Sequence, residues 1–173
     1  MKPFSATLSS TFNKSAQMYY PAALSIDKNL ATYAEAAEDD TASWLLMIFS
    51  DTDIQVKEVT LVLYSTATGV SADNVKLVAR LMTDAVVYVL DSSEKKHQCG
   101  TVQLNLDDVS AGGQTYSFPC DVIGRQIRVE SSEGTIEWAG SYRNKHVIVA
   151  ECTVSVVHSQ TGKPTHVQII ILA

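Results

Sequence analysis

The feature that most constrains this chain is the recurrence of short runs rich in Val, Ile, Thr and Tyr, each closed by Gly, Asn, Asp or Ser. Branched and aromatic side chains suit a pleated, half-buried surface, and the small polar residues between them permit tight turns. The pattern predicts strands at 44–49, 56–64, 74–81, 86–90, 100–106, 114–118, 125–130, 135–138, 147–157 and 166–172. Many short strands with a turn signal every ~8–12 residues point to an all-β fold, an antiparallel β-sandwich or jelly roll. Within 57–63, Lys57, Val59, Leu61 and Leu63 oppose Glu58, Thr60 and Val62. That imperfect alternation predicts a strand covered on both faces. Helical signal is confined to the Ala/Glu-rich stretch 31–40. No repeat or linker interrupts the pattern, so 1–173 reads as one domain.

A sandwich needs a core, and 173 residues of which 46% are hydrophobic can supply one. The 13 Lys and Arg against 19 Asp and Glu leave a net charge of −6. This balance argues against a nucleic-acid partner, which demands a clustered basic surface. The one dense basic cluster, Lys95-Lys96-His97, reads as a hairpin tip. No apolar run approaches the ~18–20 residues that span a bilayer. Met1-Lys2-Pro3-Phe4 lacks the apolar core of a signal peptide, so the chain reads as cytosolic or as one whose signal has been removed.

Catalytic patterns are missing: there is no Gly-rich phosphate loop, no GxSxG, no HExxH and no CxxC. The adjacent carboxylates Asp39-Asp40 and Asp107-Asp108 read as solvated turns. His158 and His166 flank the turn 161–164, which can set them facing one another as exposed strand ends or, less simply, as a metal pair. Cys152 falls within the apolar alternation of Ile148, Ala150, Val154 and Val156 and reads as a buried thiol. Cys99 and Cys120 lie beside Gly100 and Pro119, and their spacing leaves open whether they are bonded or free.

Several segments, taken in order, resemble one family. The opening Lys2-Pro3-Phe4-Ser5-Ala6-Thr7-Leu8-Ser9-Ser10-Thr11-Phe12 is similar to the GKPATQSSTY start of F-type lectin (fucolectin) domains, relatives of the coagulation factor 5/8 C-terminal (discoidin) and galactose-binding-like modules. Ala22 to Asn29 resembles their AxNAIDGN element, and Ser43-Trp44-Leu45-Leu46-Met47-Ile48 their PWWxVDL strand. Cys99-Gly100, Phe118-Pro119-Cys120 and Gly124 to Val129 resemble CG…FxC…GRYVTV, and Val147 to Val154 resembles LTLCEVEV. The likeness covers roughly residues 2–157, with 158–173 forming an added C-terminal hairpin. It implies a Cys99–Cys120 disulfide and a secreted, extracellular setting, in which Asn13 of the sequon Asn13-Lys14-Ser15 could carry a glycan.

The resemblance also implies a bound calcium ion (Ca2+). Its ligands would be the Leu24 carbonyl, Asp27, Asn29, Thr32, the Ala150 carbonyl and Glu151. Calcium takes six to eight oxygens from carboxylates and carbonyls, so the chemistry of that set is sound. Lys28 stands where the family has Gly. The fucose-binding members use a His and an Arg-x-Asp-x-x-x-x-Arg motif after the third core strand, but 64–73 holds no basic residue. The expected ligand is therefore a glycan or glycoprotein other than simple fucose. The candidate loops near the calcium turn are Gln17-Met18-Tyr19-Tyr20, Tyr33 with Glu35, Glu38, Asp39 and Asp40, and 65–74. Tyr19, Tyr20, Tyr33 and Glu38 are the foremost contacts: an exposed aromatic offers a platform for a sugar ring, and a carboxylate accepts from hydroxyls. The acidic loops argue against an anionic lipid surface. The alternative is a protein–protein recognition or adhesion module on the same fold, without sugar binding and with no enzymatic role. The last strand, 166–172, can complete a sheet edge or pair with another copy as a homo-oligomer.

Overall fold

The computed structural model describes residues 5–11, 13–15, 18–63, 71–103, 115–158 and 165–169, with the backbone alone at 13–15, 18–19, 72, 158 and 165–169. The strands are β1 (Ser5–Leu8), β2 (Asn13–Ser15), β3 (Met18–Tyr19), β4 (Ala34–Glu35), β5 (Trp44–Ile48), β6 (Ile54–Val62), β7 (Val86–Leu90), β8 (Lys96–Thr101), β9 (Thr115–Gly124), β10 (Gln126–Glu130), β11 (Thr135–Trp138), β12 (Ser141–Asn144), β13 (Ile148–Val149), β14 (Glu151–His158) and β15 (Thr165–Ile169). Two antiparallel sheets, β1-β5-β10-β7-β8 and β15-β14-β6-β9, carry the architecture, and the ribbons β2-β3, β4-β13 and β11-β12 attach to it.

Alternation selects the buried faces. In the five-stranded sheet Met47, Ile127 and Val89 stand in one cross-strand row and Leu45, Val129 and Val87 in the next, all buried. In the other sheet Val59 opposes Phe118 and Val154, and Leu61 opposes Cys152, to form the facing layer of the core. The all-β sandwich read from the sequence is the fold. β6 is not covered on both faces, however. Its broken alternation comes from bulges, one against β9 between Val56 and Glu58 and one against β14 between Ser155 and Val156. A bulge puts an extra residue into one strand and shifts which side chains face inward. Val56 and Val59 can therefore both be buried although they are three apart.

The disulfide pairs Cys99 with Cys120 and joins β8 to β9, tying an edge of one sheet to an edge of the other. Gly100 permits this closeness: a Cβ there would lie 2.4 Å from Phe118 Cδ1. Cys152 is buried and free, and burial pushes its thiol pKa well up, as expected of an inert core cysteine. The tail strand β15 forms an edge of the four-stranded sheet by pairing with β14. Its register sets His166 opposite Val157 rather than His158, so the two histidines are not directly opposed.

Two elements correct the sequence reading. Segment 74–81 is not a strand but the core of the helix α1 (Ala72–Leu81). Ser71 caps it, its Oγ accepting the Asn74 N–H at 3.3 Å, and Val75, Val78, Ala79 and Met82 are buried at helical spacing. The Ala/Glu stretch 31–40 is not a helix. It contains β4, where Ala34 pairs with Val149 and Glu35 with Ile148, and the buried Ala34 and Ala36 follow strand spacing. The turn between β7 and β8 spans 91–95, so Lys96 and His97 lie inside β8 rather than at the tip.

Candidate functional site

A 3-10 helix, Ala22–Ile26, leads into a loop whose polar side chains fold back on their own backbone. Asp27 Oδ1 accepts the Asn29 N–H at 2.9 Å and Oδ2 accepts the Thr32 hydroxyl at 2.6 Å, while Asn29 Oδ1 accepts the Ala31 N–H at 3.1 Å. Between them Lys28 adopts a left-handed φ of 62°, a conformation that Gly takes most readily. The Lys28 N–H donates to Glu151 Oε2 at 2.9 Å, which ties this loop to the start of β14. Glu151 is 6% exposed, and its other oxygen, Oε1, is buried without a hydrogen-bond partner. Burial pushes its carboxyl pKa up to about 7, the Asp27 charge adding to the rise and the Lys28 and Cys152 N–H groups opposing it. The structure thus brings Asp27, Asn29, Thr32 and Glu151 to one locus, and the helix carrying Leu24 packs on β14, directly after Ala150.

This locus tests the calcium expectation. A buried carboxylate oxygen without a partner, facing a second carboxylate across a loop held in a left-handed turn, is a place short of positive charge. Among the described residues no group of three or more His, Cys, Asp or Glu side chains gathers anywhere. A cation here would draw on two carboxylates together with carbonyl, amide and hydroxyl oxygens, a donor set suited to a hard divalent ion. The residues fit calcium.

Immediately downstream, β4 forms one side of a cleft of about 120 Å³ lined by Tyr33, Glu35, Asn74, Leu77, Val78, Leu81, Arg143, His146 and Ile148. Helix α1 supplies the apolar wall, and β4, β12 and the segment leading to β13 supply the polar one. Arg143 Nη1 donates to Glu38 Oε1 at 3.2 Å, and its side chain is 39% exposed. Glu35 pairs with His146 at the cleft floor, Oε1 to Nε2 at 3.1 Å. Tyr33 stacks on Tyr20 with ring centroids 4.5 Å apart. Of the four candidate contacts, then, Tyr33 lines the cleft, Tyr20 backs it, and Glu38 reaches it through Arg143. Tyr19 lies on β3 opposite Asn13, and the side chains of both fall outside the described residues.

Sequence reasoning did not select Arg143 or His146, which sit on a hairpin and on a short connection with no shared motif, whereas Glu35 and Asn74 fall within the candidate loops. Asp40 is no paired acid: its carboxylate accepts from Ser9 Oγ at 2.5 Å and Ser10 Oγ at 2.6 Å. Burial pushes its pKa up, but these bonds, the Ala42 N–H and nearby His146 outweigh that and hold it below the usual value. Asp107 and Asp108 fall outside the described residues.

No protein-family model matches the chain, and no curated protein matches it. Solved structures do resemble it. One is the module CpGH89CBM32-5 from Clostridium perfringens, in complex with GalNAc-beta-1,3-galactose, with a TM-score of 0.59 and 14% identity over 87% of this chain and 93% of that one. Another is the family 32 carbohydrate-binding module of NanJ from the same bacterium, in complex with galactose, with a TM-score of 0.57 and 14% identity over 87% and 91%. A third is CBM32-3 of a family 31 glycoside hydrolase from Clostridium perfringens, with a TM-score of 0.54 and 11% identity over 87% of each chain. What the chain shares with them is the galactose-binding-like β-sandwich fold.

Proposed function

We propose that this chain is a non-enzymatic carbohydrate-binding domain, that it binds a glycan in the cleft between α1, β4 and β12, and that calcium braces the loop beside that cleft. The observation that carries the reading is the composition of the cleft. Glu35 offers an acceptor, Arg143 and Asn74 offer donors, and Tyr33 with the α1 wall offers apolar surface, all in a volume of single-sugar scale. Sugar sites need that combination, because hydroxyls require directed partners while the ring's C–H surface requires apolar contact. The structural neighbours that hold galactose and GalNAc-beta-1,3-galactose support the class of ligand. The lack of basic residues in 64–73 speaks for a ligand other than fucose.

Calcium, when bound, supplies charge neutralisation between Asp27 and Glu151. Asp27, Asn29, Thr32 and Glu151, with the Leu24 and Ala150 carbonyls, would hold it. Their own contribution is to keep the chain entering β4 in one conformation, so that Tyr33 and Glu35 are in place before a ligand arrives. The disulfide and the sequon at Asn13 support a secreted, extracellular protein.

Isothermal titration with GalNAc-beta-1,3-galactose in millimolar calcium tests the proposal. The wild-type chain should bind, and Arg143→Ala should bind at least about tenfold more weakly, since a polar contact to a charged group is worth ~1.5–3 kcal/mol. Loss of the half-exposed Arg143–Glu38 pair costs little stability, so the melting temperature should hardly move. Absence of binding to this disaccharide and to a panel of other glycans would leave the protein–protein module as the better account.

A further inference from the structure

His146 is 1% exposed and carries a constraint that cleft-lining alone does not explain. Its Nδ1 lies 2.9 Å from the Asn144 carbonyl oxygen and its Nε2 lies 3.1 Å from Glu35 Oε1. A carbonyl oxygen only accepts, so Nδ1 must carry a proton. Nε2 faces a carboxylate, and a neutral ring protonated at Nδ1 would aim a lone pair at it. The contact therefore holds only while the His146–Glu35 pair retains one further proton.

The charged groups around the ring come from several elements. Glu35 reaches it from β4, and Asp40, held by Ser9 and Ser10, acts on it from the turn before β5. Arg143 stands on β12 and is engaged by Glu38. Neighbouring Lys145 is engaged by Asp84 at 3.1 Å. The side chains of α1 that line the cleft, Asn74, Leu77, Val78 and Leu81, bring no charge. Two carboxylates, Glu35 and Asp40, thus lie near the ring from separate elements.

We propose that His146 is a positioning residue: as an imidazolium it holds the Glu35 carboxylate in the orientation that accepts a sugar hydroxyl, and glycan affinity is consequently coupled to that one proton. This rests on the cleft being the sugar site. Its ring is too buried to be a main contact for the ligand, so it acts through Glu35. Raising the pH removes the proton, Nε2 and Glu35 Oε1 repel, and the carboxylate leaves its place. Affinity should fall with rising pH.

The test is titration of the wild-type chain with GalNAc-beta-1,3-galactose from pH 5.5 to 8.5 in constant calcium, beside His146→Gln. Gln keeps a donor toward Glu35 but cannot titrate. The wild type should lose about tenfold in affinity across the range, as expected when a charge-assisted hydrogen bond is lost, and the variant should bind more weakly at pH 5.5 with a flat profile. Nitrogen-15 NMR of the ring gives a second reading on the wild-type protein, independent of whether the variant folds. Both ring nitrogens should be protonated at pH 5.5 with sugar bound, and the ring should titrate at higher pH in the complex than in the free protein. Binding with a flat wild-type profile, or a neutral ring in the complex at pH 5.5, would overturn the role of His146 and leave the sugar site standing. No binding at any pH, to this or any other glycan, would overturn both.

Discussion

Replacing Glu151 by Gln probes a buried carboxylate whose Oε1 has no hydrogen-bond partner. Its carboxyl pKa is raised from the ordinary 4.5 to about 7, so the folded chain holds this proton more tightly than the unfolded chain does. The associated stability is fully present below pH 4.5 and is lost as the pH rises through 7. The shift corresponds to about 3 kcal/mol forfeited above neutrality in the absence of a cation. Gln keeps an oxygen for the Lys28 N–H and removes the charge, but its amide protons need partners in a buried place. Allowing for that, E151Q should recover about 1–2 kcal/mol at pH 8 in EGTA. At about 2–4 °C per kcal/mol for a domain of this size, its melting temperature should rise by about 2–8 °C. Circular dichroism melts of both proteins from pH 4.5 to 8 read this directly: the wild type should lose stability with rising pH, and much of that slope should vanish in the variant. Adding millimolar calcium should reverse the order, raising the wild type by mass action and leaving E151Q almost unmoved. An E151Q chain less stable than wild type at pH 8 in EGTA, or equally stabilised by calcium, would refute the reasoning.

Two further outcomes follow from the packing. Reducing Cys99–Cys120, or changing both residues to Ser, reopens a 21-residue loop between the sheets. That should cost roughly 3 kcal/mol and lower the melting temperature by about 6–12 °C, measured with and without reductant. Gly100→Ala should destabilise by about 1–3 kcal/mol in urea melts, because its Cβ would meet Phe118 at 2.4 Å, and adding Phe118→Leu should recover part of the loss.

How much of this was legible in the sequence depended on how a segment buries itself. Trp44–Ile48, Gln126–Glu130 and Thr135–Trp138 lie within or coincide with the expected strands, because one buried face imposes a period of two on the residue types. Ala72–Leu81 escaped because its valines suit a strand by type, while the spacing of Val75, Val78, Ala79 and Met82 is helical. Tertiary contact decided between the two. The Ala/Glu stretch failed in the opposite sense: good helix formers became β4 because Ala34 and Ala36 are small enough to lie flat in the core. The β6 bulges are pairing events between distant strands, with no local signal. The meeting of Asp27, Asn29 and Thr32 with Glu151 was readable because the first three lie within six residues and Glu151 falls in a segment that resembles LTLCEVEV. The cleft was readable only in part: Glu35 and Asn74 fall within candidate loops, but Arg143 and His146 join them only when four separate segments fold together.

The central claim, that the cleft beside the braced loop binds a sugar, is tested most directly by nitrogen-15 NMR of the backbone during titration with GalNAc-beta-1,3-galactose in calcium. The account predicts saturable shifts concentrated at Tyr33, Glu35, Asn74, Leu77, Arg143 and His146, with the outer faces of both sheets silent. Shifts confined to other surfaces, or none at millimolar disaccharide, would contradict it.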